Sequence, residues 1–359
     1  MKIDNQILEE TSTKIIKTIT DNNTSRSDAH RDDVFKNIVS AINKSKKLSR
    51  NKLYAKISTI AAILICAVVL TIYTINSTTS VSTEIDYLTI AQNSKSVSKE
   101  VTINLDNSSS IEVQNNATIE HSKNGKTTIN EKILEEQQSS DKSHISQIIV
   151  PKSKRAEVIL SDGSKVTLNS DSRIIYKTNF GSDLREVYIE GEAFLDVAKD
   201  NGRPFIVKTK NFKVNVTGTR FNVTSYDNDN ASRVVLVSGK VNVDVVGKPK
   251  MFIAPGQMFQ LDKENSTIEN VDTYKYICWI DKLMIFENQP LGEVAARVSR
   301  FYNIDIEIEK SHSSMIINGK LDLKDDASDV VNTLSIISKL KATKLNNTIT
   351  LTHDSLWQN

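Results

Sequence analysis

Apolar residues follow three different patterns along the chain, and each pattern predicts a different kind of structure. In the first 50 residues they recur every three to four positions, whereas between Arg155 and Asp272 they alternate with polar residues. Between these regions lies a run without any charge, from Ile57 to Ile75. A period near 3.6 indicates an amphipathic helix, and a period of two indicates a half-buried strand. The patterns therefore predict helices, then an apolar span, then a β domain.

The apolar run is long enough for one membrane crossing. Its 19 residues (ISTIAAILICAVVLTIYTI) would cover about 28 Å as a helix, at about 1.5 Å per residue. The first charges after the run are Glu84 and Asp86, whereas six basic residues precede it: Lys44, Lys46, Lys47, Arg50, Lys52 and Lys56. The positive-inside rule then places the N-terminus in the cytoplasm. Because about 56 residues come before the run, we expect an uncleaved single-pass anchor rather than a signal peptide.

Two amphipathic helices are predicted before this run. The apolar positions of the first are Ile3, Ile7, Leu8, Ile15 and Ile19. Those of the second form one continuous stripe, consisting of Val34, Phe35, Ile38, Val39 and Ile42. Ser27 or Asp28 can cap the start of this second helix. Segments this short rarely bury such stripes within themselves, so we expect a partner protein, with a self-packed helical hairpin as the alternative.

A hairpin-like pattern occurs twice after a polar stretch. Residues 76–99 are rich in Ser, Thr and Asn and show no periodicity, which predicts a flexible stalk that proteases can reach. Residues 102–119 then align with residues 157–174 at an offset of 55, with their apolar positions in register. The alignment predicts a duplicated hairpin unit whose first copy lacks the turn glycine that Gly163 supplies in the second.

The rest of the chain predicts two folded domains of different class. Short alternating strands separated by Gly-containing turns indicate an all-β, jelly-roll-like sandwich. After Asp272 helices are expected near 274–281, 290–302 and 327–340, with Pro290 in a first turn and Asp325 or Asp326 as a cap. The predicted fold is therefore multi-domain, with a short all-α cytoplasmic segment (1–56), one transmembrane helix (57–75), a stalk (76–99), the periplasmic β domain (100–272) and a C-terminal small α+β domain (273–359).

Composition gives little support for nucleic-acid, metal or redox chemistry. The formal net charge is +2, from 46 basic and 44 acidic residues, so we expect no direct contact with nucleic acid. Cys66 lies in the apolar run and Cys278 far beyond it, which makes an intramolecular disulfide implausible. The five histidines are scattered without metal-ligand spacing. We therefore expect no cofactor and no metal site.

Catalytic interpretations of the acidic residues are weaker than structural ones. Glu190, Glu192 and Asp196 are evenly spaced, so they should share a solvated sheet face rather than form a glycosidase pair. Gly191 and Gly218 have no helix after them, which argues against a phosphate-binding loop. The chain is therefore predicted not to be an enzyme.

Five motifs together resemble the FecR family of transmembrane anti-sigma factors of Gram-negative bacteria. They are AEVILSDGSKVTLN (156–169), REVYIEGEAFLDVAKDNGRPFIVKT (185–209), VNVTGTRFNVTSY (214–226), LVSGKVNV (236–243) and PGQMFQLD (255–262). Residues 279–309 are similar to the short α+β module found at the N-termini of secretins and TonB-dependent receptors. Taken together, the resemblance covers about residues 100 to 352.

The resemblance implies partners that composition and spacing do not supply. It implies that the cytoplasmic segment binds an extracytoplasmic-function sigma factor, and the expected contacts are Val34, Phe35, Ile38, Val39 and Ile42. It further implies an inner-membrane protein with its C-terminus in the periplasm, signalled by a TonB-dependent outer-membrane receptor and processed by site proteases. Two alternatives stay open, a membrane-anchored periplasmic glycan- or peptide-binding module and an assembly subunit of a secretion system.

Overall fold

The structure is a computed structural model of the 359-residue chain. It describes residues 10, 12–17, 33–41, 44, 64–71, 85–94, 98–105, 109–123, 126–133, 144–263 and 265–353. The chain divides into two compact units, Met1–Ile85 and Asp86–Asn359. In the first unit, residues 12–17, 33–41 and 64–71 are helical. The second unit holds the strands and is described below as the body.

The prediction of a transmembrane helix from Ile57 to Ile75 is wrong. Within that run the structure describes residues 64–71, a helical stretch of eight residues. In the described parts of the chain, no helix is both long and apolar enough to cross a membrane. The predicted fold class is therefore corrected to a chain dominated by one large curled β-sheet.

The large sheet contains eighteen strands. They are β1 (Val101–Leu105), β2 (Ser109–Val113), β3 (Ala117–His121), β4 (Thr127–Ile129), β5 (Lys132–Ile133), β6 (Ile145–Val150), β7 (Ala156–Ile159), β8 (Lys165–Leu168), β9 (Ser172–Lys177), β10 (Arg185–Asp196), β11 (Phe205–Lys208), β12 (Lys213–Val216), β13 (Arg220–Ser225), β14 (Ala231–Ser238), β15 (Val241–Asp244), β16 (Met251–Ile253), β17 (Gln257–Asp262) and β18 (Asn265–Asn270).

The sheet folds back on itself at β10. The first half of β10 pairs with β9 and β11, and its second half pairs with β8 and β13. Between the halves Gly191 has φ +91°, and a Cβ atom there would clash with Ser172. Glycine is therefore required at this bend. The two layers enclose one apolar core, but they are a single continuous sheet rather than the two sheets of the predicted sandwich.

The two aligned hairpin units adopt the same strand order. β1 and β2 form an antiparallel hairpin followed by β3, as β7 and β8 form one followed by β9. Aligned residues such as Ile103 and Val158 are both fully buried, and so are Ile119 and Ile174. The second turn contains Gly163 at φ +86°, a conformation that L side chains rarely adopt.

A smaller α+β module follows β18 and has its own apolar core. Its helices are α2 (Tyr274–Ile277), a 3₁₀ turn (Cys278–Asp281), α3 (Leu291–Tyr302), α4 (Lys310–Ser313) and α5 (Ala327–Ser338). Its strands are β19 (Leu283–Pro290), β20 (Asp305–Ile308), β21 (Ile316–Asp322), β22 (Leu340–Leu345) and β23 (Thr348–His353). β19 pairs with β21, and β23 lies between β20 and β22. The Asp326 side chain accepts hydrogen bonds from the backbone N–H groups of Ser328 and Asp329, which caps α5.

One further helix, α1 (Tyr87–Asn93), lies within the segment predicted to be a flexible stalk. Tyr87 and Ala91 are buried, and the Tyr87 ring stacks on that of Tyr188 at 5.8 Å between centroids. Arg173 donates hydrogen bonds to the backbone carbonyls of Ala91 and Ser94. The helix is therefore packed on the outer face of the sheet.

Candidate functional site

The predicted partner-binding stripe lies on the helical stretch 33–41. The side chains of Val34, Phe35 and Val39 are 45%, 68% and 39% exposed. Ile38 is half-buried, and Ile42 lies outside the described residues. Apolar side chains that cluster on one helix face and remain in water are typical of a surface that a partner covers. The structure thus brings four of the five predicted contact residues onto one short helix.

The helix predicted nearer the N-terminus is described in part. Residues 12–17 are helical, Ile15 is half-buried and Ile16 is 64% exposed. Ile3, Ile7, Leu8 and Ile19 lie outside the described residues, as do the cap candidates Ser27 and Asp28. The stripe on residues 33–41 is therefore the better-defined candidate.

A second candidate site is the junction between the large sheet and the α+β module. Arg155, the residue directly before β7, lies between two rings of the module. Its guanidinium carbon is 5.2 Å from the centre of the Trp279 ring and 5.0 Å from the centre of the Phe301 ring. The Trp279 Nε1–H donates to Asn222 Oδ1 at 3.3 Å. Burial lowers the pKa of Arg155. The cation is therefore held by two aromatic faces and by the hydrogen bond that its Nε donates to Asn169 Oδ1 at 3.2 Å.

Two ion pairs complete this junction. Arg300 donates to both carboxylate oxygens of Asp229, at 2.8 and 3.1 Å, and its guanidinium carbon lies 3.8 Å from the centre of the Tyr226 ring. Burial acts to lower the pKa of Arg300, but the neighbouring Tyr226 and Asp229 outweigh burial and raise the pKa above its usual value. Arg233 pairs with Glu293 at 3.1 Å. Charge-assisted contacts, rather than a shared apolar core, thus join the module to the sheet.

The acidic residues weighed as catalysts are occupied in separate contacts. Glu190 pairs with Arg173 at 3.2 Å. Glu192 is half-buried, and it accepts hydrogen bonds from the side-chain amides of Asn169 and Asn222. The prediction that these carboxylates share a solvated face is therefore wrong for Glu192, because the module covers it. The positive φ of Gly191 separates the two residues at the bend.

The junction encloses little free space. A cavity of about 20 Å³ lies among Arg155, Glu192, Tyr226, Trp279 and Arg300. That volume has room for about one water molecule, which is too little for an organic ligand. Among the described residues, no group of three or more His, Cys, Asp or Glu side chains could hold a metal ion. This arrangement is suited to holding two parts of a protein together.

Sequence reasoning missed the junction. Trp279 is 3% exposed, and Phe301 packs against the core of the α+β module. Their role in holding Arg155 was not foreseen, because Arg155 and Trp279 are far apart in the sequence. The sequence carries no signal for this contact, because Glu157, two residues further along the strand, offers Arg155 an acidic neighbour of its own.

Comparisons with known proteins match most of the body. The sequence model described as "FecR protein" matches residues 146–242, and the one described as "FecR, C-terminal" matches residues 283–351. A crystal structure of a candidate anti-sigma factor from Parabacteroides distasonis ATCC 8503 at 2.50 Å resolution is 30% identical with a TM-score of 0.56, covering 59% of this chain and 100% of that one. A second crystal structure described in the same words, at 1.65 Å resolution, is 31% identical with a TM-score of 0.56, covering 58% and 99%. No curated protein matches the chain.

Proposed function

Because this chain belongs to the FecR family of anti-sigma factors, we propose that it binds an extracytoplasmic-function sigma factor through the stripe on residues 34–42. The observation that carries this proposal is the exposure of Val34, Phe35 and Val39 on one helix face. A helix of this kind binds by placing its apolar side chains in a groove of the partner. The sigma factor would then be held away from RNA polymerase.

The body would receive the releasing signal from a TonB-dependent outer-membrane receptor. The similarity of residues 279–309 to the short module of such receptors supports this part of the proposal. The junction supports it as well, because Arg155, Arg300 and Arg233 tie the module to the sheet. A force on the module would therefore reach the whole body.

The location of the protein stays a prediction from the family resemblance. The resemblance to FecR-family anti-sigma factors implies an inner-membrane location with a cytoplasmic N-terminus and a periplasmic body. Site proteases acting on the part of residues 76–99 that precedes the packed helix α1 would complete the release. Reporter fusions at both ends test the location, and a reporter signal from one compartment only would contradict it.

The FecR family of anti-sigma factors is a regulatory class rather than an enzymatic one. We propose that this chain likewise has no catalytic activity of its own. The separate engagement of Glu190 with Arg173 and of Glu192 with two amides supports this.

The test is a pull-down of an extracytoplasmic-function sigma factor from the same organism. Phe35→Asp should abolish capture, because a carboxylate cannot enter an apolar groove without losing its hydration. Asn37→Asp adds the same charge at another exposed position of the helix and should leave capture unchanged. Equal capture by both variants would contradict the proposed binding surface.

The relay needs a separate test in cells. A variant without residues 76–359 and the full chain should differ in how a sigma-dependent reporter responds to inducing conditions. Equal repression by the two under all such conditions would contradict the sensing role but not the binding of the sigma factor.

A further inference from the structure

The hairpin between β15 and β16 exposes two apolar side chains together. Val246 is 95% exposed and Phe252 is 72% exposed. Among the described residues of the body, these are the most exposed aliphatic and the most exposed aromatic side chains. Leaving such groups in water is unfavourable, so their place on a single hairpin indicates a surface that something covers.

Strand pairing and a turn hydrogen bond order this hairpin. Val241 and Val243 face the core opposite Ile253 and Met251, which fixes the register of the two strands. Phe252 lies opposite Asn242 on the other face, away from the core. The Lys248 N–H donates to the Val245 carbonyl at 3.0 Å, and Gly247 has φ +77°, so the tip is a tight turn. The exposed side chains therefore belong to an ordered hairpin with a tight turn.

Basic residues flank these apolar side chains. Lys248 and Lys250 stand between Val246 and Phe252 in the sequence, and Lys250 is exposed. Lys213 lies opposite Asp244 at the base of the hairpin, so the local charge is positive with Asp244 counted. A hairpin that combines an exposed aliphatic side chain, an exposed aromatic ring and lysines has the composition of elements that rest in a lipid interface.

We propose that this hairpin tip, residues 246–252, contacts an anionic lipid surface. Val246 and Phe252 enter the boundary between headgroups and acyl chains, while Lys248 and Lys250 face the lipid phosphates. The contact is peripheral and goes beyond sigma-factor binding. The contact would hold the outer face of the sheet, on which α1 also packs, close to the membrane surface. The two places lie on one face, because the pairs Tyr188–Lys208, Lys208–Lys213 and Lys213–Asp244 run across four adjacent strands.

The test places fluorescent probes on the full-length chain. In a Cys66→Ser background, Val246→Cys, Phe252→Cys and Leu345→Cys are each labelled with bimane, and the remaining native cysteine, Cys278, is buried. Leu345 is the control, because it is 74% exposed but lies in the α+β module. With vesicles of phosphatidylethanolamine and phosphatidylglycerol, quenching by spin-labelled lipid should be about threefold or more stronger at 246 and 252 than at 345.

Charge provides the second arm of the test. In vesicle titrations followed by quenching at position 246, Lys250→Gln should raise the lipid concentration at half-maximal quenching by about fivefold, because one lysine near an anionic surface contributes about that factor to the affinity. Equal quenching at all three probe positions, no quenching at 246 and 252, or equal quenching on purely phosphatidylcholine vesicles would each overturn the proposal. Unchanged thermal unfolding of the labelled proteins confirms that these differences are local.

Discussion

Two amphipathic helices of this chain have similar sequence patterns but opposite environments. On α3 the apolar residues Leu291, Val294 and Val298 are fully buried in the core of the α+β module. On the stretch 33–41, Phe35 is 68% exposed. A helix acquires stability mainly by packing its apolar face, so the first stripe is used within the chain and the second is available to another molecule. Periodicity alone does not distinguish the two, whereas burial does.

The two stripes should differ most in how much stability the protein loses when a charge is placed on each of them. Val298→Asp places a carboxylate in the module core without a partner and should lower the free energy of unfolding by about 4 kcal/mol or more. Val39→Asp on the exposed stripe should change it by less than about 0.5 kcal/mol. Urea denaturation of both variants measures the difference. Similar losses in both would contradict the distinction drawn here.

Acid should destabilise the body through His121. This side chain is 2% exposed, and burial lowers its pKa to about 4. The folded protein then binds fewer protons than the unfolded chain between pH 6.5 and 4, so stability falls as the pH is lowered through that window. The loss should approach about 3 kcal/mol, at about 1.4 kcal/mol per pH unit. Urea denaturation of the wild type and of His121→Gln measures it, and an equal loss in the variant would exclude His121 as the cause.

The junction should show a loss of intermediate size. Arg300→Met removes the cation that holds Asp229 and should cost about 2 kcal/mol, because the remaining carboxylate is largely buried. Arg220→Met breaks an ion pair whose side chains are both 52% exposed, and it should cost less than about 0.5 kcal/mol. Thermal unfolding of the two variants compares them, and an equal effect would show that the junction adds nothing to stability.

The smallest loss of global stability is expected for a change that loosens α1. Its packing depends on Tyr87, Ala91 and two hydrogen bonds from Arg173. Arg173→Gln should leave global stability within about 1 kcal/mol but speed amide hydrogen exchange in residues 87–94, because short helices depend on tertiary contacts. Unchanged exchange there would show that the aromatic stacking alone holds the helix.

Local patterns predicted the regular elements well. Alternation located the β7–β8 hairpin around Gly163, and periodicity located α3 beside Pro290 and α5 behind Asp326. These elements are set by neighbouring residues, so the sequence carries their signal directly. Helix α1 was missed because its buried residues are only Tyr87 and Ala91, within a stretch rich in Ser, Thr and Asn.

Features that depend on long-range contacts were predicted poorly. The positions of Arg155 and Glu192 follow from the docking of the module, which no local pattern encodes. The apolar run after Ile57 was judged from the absence of charge alone, and no helix of the described residues is long and apolar enough to cross a membrane. The described helix there covers residues 64–71.

Amide hydrogen exchange of the full-length chain, with and without the sigma factor, tests the central claim most directly. When the sigma factor is bound, we expect the amides of residues 33–41 to exchange more slowly, because Phe35 and Val39 are exposed in the free chain. We expect no change in the exchange of α3, whose apolar stripe is already buried. Protection confined to the body, with residues 33–41 exchanging as before, would contradict the assignment of this helix as the sigma-binding surface.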